Sequence, residues 1–272
     1  MCELYEVTRA GFYAWRRRVP SERSRSDAQL LEQVRIAHTR SRGYYGSPRV
    51  MGQLRRDGFV VGRRRVARLM RLAGLHGRSA RLYRRSKVGQ RAFYARVPGR
   101  RDMQPQAVNQ VWVGDVTYLR VAGQWRYLAA VMDRHSRRIV GWSLSYRRDA
   151  ALTSQALRQS VRNRKPAAGL VFHSDRGVEY AAFEFRDELA RFGILQSMNR
   201  PGKMNDNAHM ESFFHSMKAE ELYGKTFAND DQLRQALSSY ITFYNQRRLH
   251  SSLRYLPPAA FEQLQARQLC VN

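Results

Sequence analysis

Three carboxylates stand where an acid is conspicuous. Asp115 interrupts the apolar run "VWVGDVTYL", Asp175 closes "VFHSD" ahead of "RGVEY", and Glu211 sits among Met210, Phe213 and Phe214 in "NDNAHMESFFHSMK". An acid inside a β-rich apolar run is destabilising unless it is paired or bound to a cation. Open sheets bind their ligands in crevices at strand ends, where Asp175 would lie. Three hard oxygen donors without a Cys/His cluster point to Mg²⁺ or Mn²⁺ rather than zinc. In a two-ion arrangement one cation activates the attacking oxygen of a phosphodiester exchange and the other stabilises the leaving oxygen. Each acid alone also has an ordinary reading: a strand Asp can cap a turn, and a helical Glu can be solvated.

The elements that must position these acids follow from periodicity. Residues 110–145 read as three consecutive strands rich in Val, Tyr, Trp and Ile, with turns near 122–124 and 133–138. A helix over about 149–163, a short strand at 169–175, a helix over about 181–192 and a strand at 194–198 follow. After the Gly/Pro loop "NRPGKMND" comes the helix that carries Glu211. On it Asn207, Glu211, His215 and Lys218 fall within about 40° of one line, beside an apolar face of Met210, Phe213, Phe214 and Met217. Further helices cover about 230–246 and begin at "PPAAFEQLQAR". Antiparallel strands followed by alternating helix and strand predict an α/β fold, a mixed sheet with helices on its faces. Trp112, Trp125 and Trp142 read as core residues.

The first 75 residues are helical in texture. Helices are predicted at 26–41 with Ser26 or Asp27 as N-cap, at 46–58 with Ser47 as N-cap and Pro48 in the first turn, and at 62–74. The last two, joined by "DGFVVG", suggest a helix-turn-helix. Arg63, Arg64, Arg65 and Arg68 would then face DNA; the alternative is a solvated arginine-rich helix in a small bundle. No Asp or Glu occurs from Gly58 to Arg101, and residues 76–105 read as a basic arm that tracks a phosphate backbone.

Charge narrows the partner. The 272 residues carry 49 Lys+Arg against 22 Asp+Glu, a formal charge of +27. Such an excess repels itself in a folded chain and calls for a polyanion, here nucleic acid. No run reaches the roughly 18 apolar residues of a membrane span, and the N-terminus has no apolar signal segment. Cys2 and Cys270 form no disulfide framework and no zinc spacing. A cytoplasmic, nucleoid-associated protein of a bacterial type is the expectation.

"WVGDVTY", "HSDRGVEY", "DNAHMESFFHSMK" and "YNQRRLHSSLRYLPPAAF" resemble, in order and over nearly the whole chain, the orfB-type DDE transposases of the IS-three insertion-sequence group. That group belongs to the retroviral-integrase-like superfamily. Asp115 and Asp175 are separated by 59 residues, and Asp175 and Glu211 by 35, the family's spacing. "YYGSPRVMGQLRRDGFVVGRRRVARLMRLAGL" is similar to the family's helix-turn-helix-like segment.

The resemblance implies an RNase H-like five-stranded sheet flanked by helices and preceded by a small helical domain. It divides the chain into a helical region 1–75, a basic arm 76–108, a catalytic core 109–225 and a helical extension 226–272. It implies that Asp115, Asp175 and Glu211 are the metal-binding catalytic residues, using Mg²⁺ or Mn²⁺ and two ions. It implies that Lys218 contacts terminal DNA. The other reading of Lys218 is an ion-pair partner of Glu221 on the same helix. Asn207 would cap the helix or orient Glu211. His173 would be a hydrogen-bonded strand-end residue or approach the metal, and Asp133 a structural turn residue.

The implied activity is cleavage and strand transfer at insertion-sequence ends through a circular or figure-eight intermediate. The implied partners are double-stranded element and target DNA, further copies of the chain in a synaptic complex, and an upstream-frame protein as fusion or partner. The chain shows no heptad repeat of the kind that upstream part carries. The alternative function is a non-catalytic DNA-binding regulator of transposition.

Overall fold

The computed structural model describes residues 8–17, 21–78, 104–199 and 207–269. Most of the predicted basic arm and the loop after Asn199 lie outside the described residues. The chain divides into two compact units with the boundary between Gly77 and Arg78.

The first unit contains α1 (Arg9–Arg16), α2 (Glu22–Arg40), α3 (Ser47–Arg56) and α4 (Arg63–Leu72). Leu30, Val34 and Ala37 of α2 meet Val50 and Leu54 of α3 and Val66, Leu69 and Met70 of α4 in a buried core. Two caps differ from expectation. Helix α2 begins earlier, at Glu22, because Ser21 caps it by accepting from the Ser24 amide. The polar first turn of α2 has no apolar periodicity to reveal it. Helix α3 is preceded by Gly46 as N-cap, and Ser47 lies inside the first turn without capping. The predicted stops hold: Gly58 and Gly74 adopt φ of +90° and +65° just past α3 and α4, a conformation that favours glycine.

The second unit is built on a five-stranded sheet of order β3-β2-β1-β4-β5. Its strands are β1 (Val111–Val121), β2 (Gln124–Asp133), β3 (Ile139–Ser145), β4 (Val171–Ser174) and β5 (Leu195–Met198). The first three are antiparallel, and β4 and β5 run parallel to β1. The β1–β2 turn uses positive φ at Ala122 and Gly123, the two-residue geometry that matches strand twist. The second turn is held by Asp133, whose carboxylate accepts from the amides of Asn109, His135 and Ser136. Asp133 is therefore a structural turn residue.

Helix α5 (Ala150–Arg164) starts at Asp149, which accepts from the Leu152 amide. The single helix predicted over 181–192 is instead two, α6 (Val178–Ala181) and α7 (Phe183–Arg191), separated by extended backbone at Ala182. The break lets Tyr180 and Phe185 both pack on Phe172, with ring centroids 6.0 and 5.4 Å away. These helices cover one face of the sheet over Trp112, Ala129, Val131 and Val140.

Helix α8 (Ala208–Met217) runs on as a π-turn over Lys218–Leu222, and α9 (Asp230–Gln246) and α10 (Pro258–Leu269) complete the unit. Helix α8 packs on β1 and α9 on β3, with Met210, Phe213, Met217, Leu233, Leu237 and Tyr240 buried. Of the tryptophans expected inside, Trp112 is fully buried and Trp142 partly so, but Trp125 is 48% exposed near the hairpin tip. There it packs edge-on against Tyr118 and under Arg120. No helix among the described residues is long and apolar enough to cross a membrane.

Candidate active site

The sheet register brings two of the acids level. Gly114 of β1 pairs with Ser174, the last residue of β4, and the residues that follow them are Asp115, within β1, and Asp175, just past the end of β4. Adjacent strands lie about 4.8 Å apart, so the two carboxylates leave the sheet side by side. Gly114 is needed for this: a Cβ there would run into the Phe172 ring, which fills the space under the strand pair. Beyond Gly114, β1 continues while β4 has ended, leaving the open strand edge at which parallel sheets bind ligands.

Glu211 comes from α8. Asn207, at the N-cap position of that helix, makes no side-chain cap. Its Nδ2 instead donates to the Gly114 carbonyl at 3.1 Å, fastening the helix start to the residue before Asp115. Glu211 follows one turn later on the same helix, at the edge of the buried stripe formed by Met210, Phe213, Phe214 and Met217.

The electrostatics reflect crowding of like charge. Burial pushes the Asp115 carboxyl well above the usual carboxylate range, and the neighbouring Asp175 and Glu211 charges add to it. The Val116 amide, which donates to Asp115 Oδ1 at 2.8 Å, and the Arg148 guanidinium pull the other way. Burial also raises Asp175, with Glu179 adding to it, against an amide donated by Gly177 and the field of Arg148. Burial lowers the Lys218 ammonium to about 8, with the Asp115 charge opposing. Lys218 Nζ lies 4.7 Å from the centroid of the Tyr118 ring, and Glu221 accepts from Lys225.

The three acids share one electrostatic site, but among the described residues no group of three His, Cys, Asp or Glu side chains could hold a metal ion in its present arrangement. The donor chemistry nevertheless fits a hard divalent cation. All three side chains offer oxygen, Asp115 and Asp175 lack enough counter-charge for their burial, and the buried Asn207 Oδ1 has no partner among the described residues.

His173 is buried and bonded on both ring nitrogens, to Ser197 Oγ at 3.0 Å and Asn199 Oδ1 at 2.8 Å, so it ties β4 to β5 and the residue after it. In the first unit Arg63 and Arg64 are exposed at the start of α4, whereas Arg65 and Arg68 both hold the Asp27 carboxylate of α2. Two of the four arginines expected at DNA are thus tied into their own unit. His250 packs edge-on against Tyr244 at 4.7 Å and bridges to Leu256 through its backbone, which ties the segment after α9.

Ion pairs beside and behind the site escaped the sequence reading. Arg148 and Glu179 pair beside Asp115 and Asp175. Glu220 and Arg248 form a buried pair behind α8. The doublet "RR" at 147–148 and the Glu four places after Asp175 were available signals, but only folding brings them together.

Comparison with known proteins finds two kinds of domain along the chain. Residues 105–204 and 192–258 match two models described as integrase core domain, and residues 25–83 match one described as an HTH-like domain. A 31 kDa protein of insertion element IS600 from Shigella sonnei, uncharacterized itself, is 37% identical over 266 residues, covering 97% of each chain. Transposase InsF for insertion sequence IS3A from Escherichia coli K12 is 37% identical over 268 residues, covering 96% of this chain and 92% of InsF. Among solved structures, the HTLV-2 integrase catalytic core domain in complex with magnesium aligns at 17% identity with a TM-score of 0.44, covering 54% of this chain and 92% of that one.

Proposed function

The chain belongs to the IS3-family transposases, and from that membership we infer that its DNA strand cleavage and joining are carried by Asp115, Asp175 and Glu211. It is a transposase of polynucleotidyl transferase type, with an HTH-like DNA-binding domain ahead of an integrase core. The observation that supports the residue assignment is the β1–β4 register, which sets Asp115 and Asp175 level at an open strand edge with Glu211 in the same field.

Integrase-type cores bind divalent metal. Here Asp115, Asp175 and Glu211 would hold Mg²⁺ or Mn²⁺, as one or two ions. When bound, the metal supplies activation of the attacking oxygen and charge stabilisation at the phosphorus. The chain's own part is orientation and charge. Asp115 and Asp175, fixed by the sheet, set the attack line. Glu211, anchored through Asn207 and the apolar face of α8, closes the site from the helix side. Lys218 presents its ammonium to the DNA on the same helix axis. Arg63 and Arg64 bind phosphates from the first unit.

The reaction is two phosphodiester exchanges. Water first displaces the 3′ oxygen at one element end, breaking one P–O bond and leaving a 3′-OH. That hydroxyl then forms a P–O bond to a second phosphodiester and releases the 3′ oxygen of the strand it enters, with no covalent protein intermediate. Several copies of the chain act together on element and target DNA, and the upstream-frame protein joins them as partner or fusion.

The test is a strand-transfer assay on element-end duplex with Mg²⁺ or Mn²⁺. Asp115→Asn, Asp175→Asn and Glu211→Gln each abolish cleavage and joining while leaving DNA binding. Activity that survives any of the three overturns the assignment. Tight metal-independent binding with no cleavage, even when the upstream-frame protein is added, would instead establish the regulator.

A further inference from the structure

The loop that leaves β3 carries Tyr146, Arg147 and Arg148. Tyr146 is 66% exposed, and the Arg147 guanidinium lies 5.3 Å from the centroid of its ring. The Arg148 side chain is 41% exposed, while that of its partner Glu179 is wholly buried. Arg148 Nε and Nη2 both donate to Glu179 Oε1, at 3.0 and 2.8 Å. Glu179 Oε2 is buried and takes no hydrogen bond from any described residue.

This is an unusual way to pair a buried glutamate. A fork-to-fork pair would satisfy both carboxylate oxygens, and an unsatisfied buried carboxylate oxygen is costly. The observed geometry crowds two guanidinium nitrogens onto one oxygen and leaves Arg148 Nη1 outside the pair. Gly177 makes the seat for it, because a Cβ there would collide with the Glu179 carboxylate. The Gly177 amide is also the donor to Asp175 Oδ1, so the Arg148–Glu179 pair is built into the same turn as Asp175. The Arg148 charge acts on both Asp115 and Asp175. A partly exposed guanidinium fixed from behind, beside a carboxylate site that handles phosphodiesters, suits a DNA phosphate. Its planar fork matches phosphate oxygens, and its charge does not titrate away.

We propose that Arg148 binds a non-bridging phosphate oxygen of the DNA beside Asp115 and Asp175, and that buried Glu179 is the positioning residue that holds it there. The proposal rests on the strand-transfer reading of this site. A purely structural role makes a different prediction: if Arg148 only neutralises Glu179, removing both charges restores the protein.

The experiment compares the full chain as wild type, Arg148→Ala, Arg148→Ala/Glu179→Gln and Arg148→Lys. Melting temperature, affinity for element-end duplex, capture of target duplex and strand transfer are read in parallel. The double variant is expected to regain the melting temperature lost in Arg148→Ala, yet to remain about tenfold to a hundredfold down in strand transfer. Weakened element-end affinity assigns the phosphate to the element; weakened target capture alone assigns it to the target. A double variant within about twofold of wild-type strand transfer overturns the proposal.

Should the double variant not fold, Arg148→Lys decides. It keeps a charge for Glu179 but not the fork, and is expected to lose strand transfer at unchanged melting temperature; full activity overturns the proposal. A wild-type chain that binds DNA but never joins it sinks the catalytic reading. In that case Arg148 stands or falls on whether the variants weaken binding.

Discussion

The Asn207 side-chain amide donates to the Gly114 carbonyl, so the helix that carries Glu211 is fastened to the strand residue immediately before Asp115. One hydrogen bond thereby sets the offset between two of the three acids. Residue 207 is 3% exposed, and its Oδ1 has no partner among the described residues, so it is the bond to Gly114 that ties this side chain to the sheet. Asn207→Ala removes a buried hydrogen bond to the Gly114 carbonyl, at a cost of about 0.5–1.5 kcal/mol. The expected result is a lower melting temperature together with a larger fall in strand transfer than in element-end affinity. An equal fall in both would mean that the bond serves only stability.

Asp115 makes a prediction whose sign is opposite to the usual core substitution. Its folded-state carboxyl is raised by burial and by Asp175 and Glu211. For an acid with a raised folded value, the penalty is absent below the unfolded carboxylate range of about 4, grows as pH rises toward the folded value, and is complete above it. In a chelator, Asp115→Asn is therefore expected to raise the melting temperature at pH 8, with the gain vanishing near pH 4. Adding Mg²⁺ should raise the wild-type melting temperature and leave that of the variant nearly unmoved. A variant less stable than wild type across the whole pH range contradicts this.

The sequence carried the parts of this architecture that depend on local chemistry. Alternating Val, Tyr and Trp around Asp115 marked the strands, and the Met/Phe stripe of 210–217 marked the anchored face of α8. What it could not carry depends on which residues meet after folding. Arg148 and Glu179 are 31 positions apart and look like ordinary surface charges until the turn after Asp175 folds under the β3 loop. Trp125 reads as core by residue type, but its place near the hairpin tip exposes it. Asn207 is a good N-cap by type, but its side chain makes no cap; its amide donates across to the Gly114 carbonyl of β1, a contact only the folded chain creates.

Lys218 should confer a pH dependence on DNA binding. Burial lowers its ammonium to about 8. For a base with a lowered folded value, the stability cost is present while the group is charged and is relieved as pH rises from about 8 toward the unfolded value of about 10.4. Stability from this group thus rises across that window, while attraction for phosphate falls. Element-end affinity of the wild type is expected to weaken between pH 8 and 9.5, by up to about tenfold per unit, whereas Lys218→Arg stays flat because arginine keeps its charge. Parallel curves for the two proteins would remove Lys218 from the DNA interface.

Behind α8, Glu220 and Arg248 form a pair with side chains 4% and 3% exposed, and the Tyr240 hydroxyl donates to Glu220 Oε2 at 2.8 Å. Removing one partner leaves an uncompensated buried charge. Arg248→Met is expected to cost about 3–5 kcal/mol in denaturant unfolding, and the double variant with Glu220→Gln markedly less. Since the π-turn holding Glu220 follows α8 directly, the single variant should also lower strand transfer, and the double variant should recover part of it. A single variant with wild-type stability would show that the pair is not what anchors this turn.

The arginines of α4 separate into two groups that mutation can tell apart. Arg63 and Arg64 are exposed, while Arg65 donates to Asp27 at 2.7 Å and Arg68 donates to the same carboxylate. Those two bonds hold the Asp27 carboxyl below its usual range, with Arg68 contributing most. Arg63→Ala/Arg64→Ala is expected to weaken duplex binding at unchanged melting temperature and to flatten the salt dependence by about 0.9 in log–log slope for each phosphate that is no longer neutralised. Arg65→Ala/Arg68→Ala should instead lower the melting temperature, with any weakening of binding tracking the unfolded fraction. If the second pair weakens binding and flattens the salt slope with the fold intact, then the arginines facing Asp27 exchange it for DNA, and all four belong to the interface.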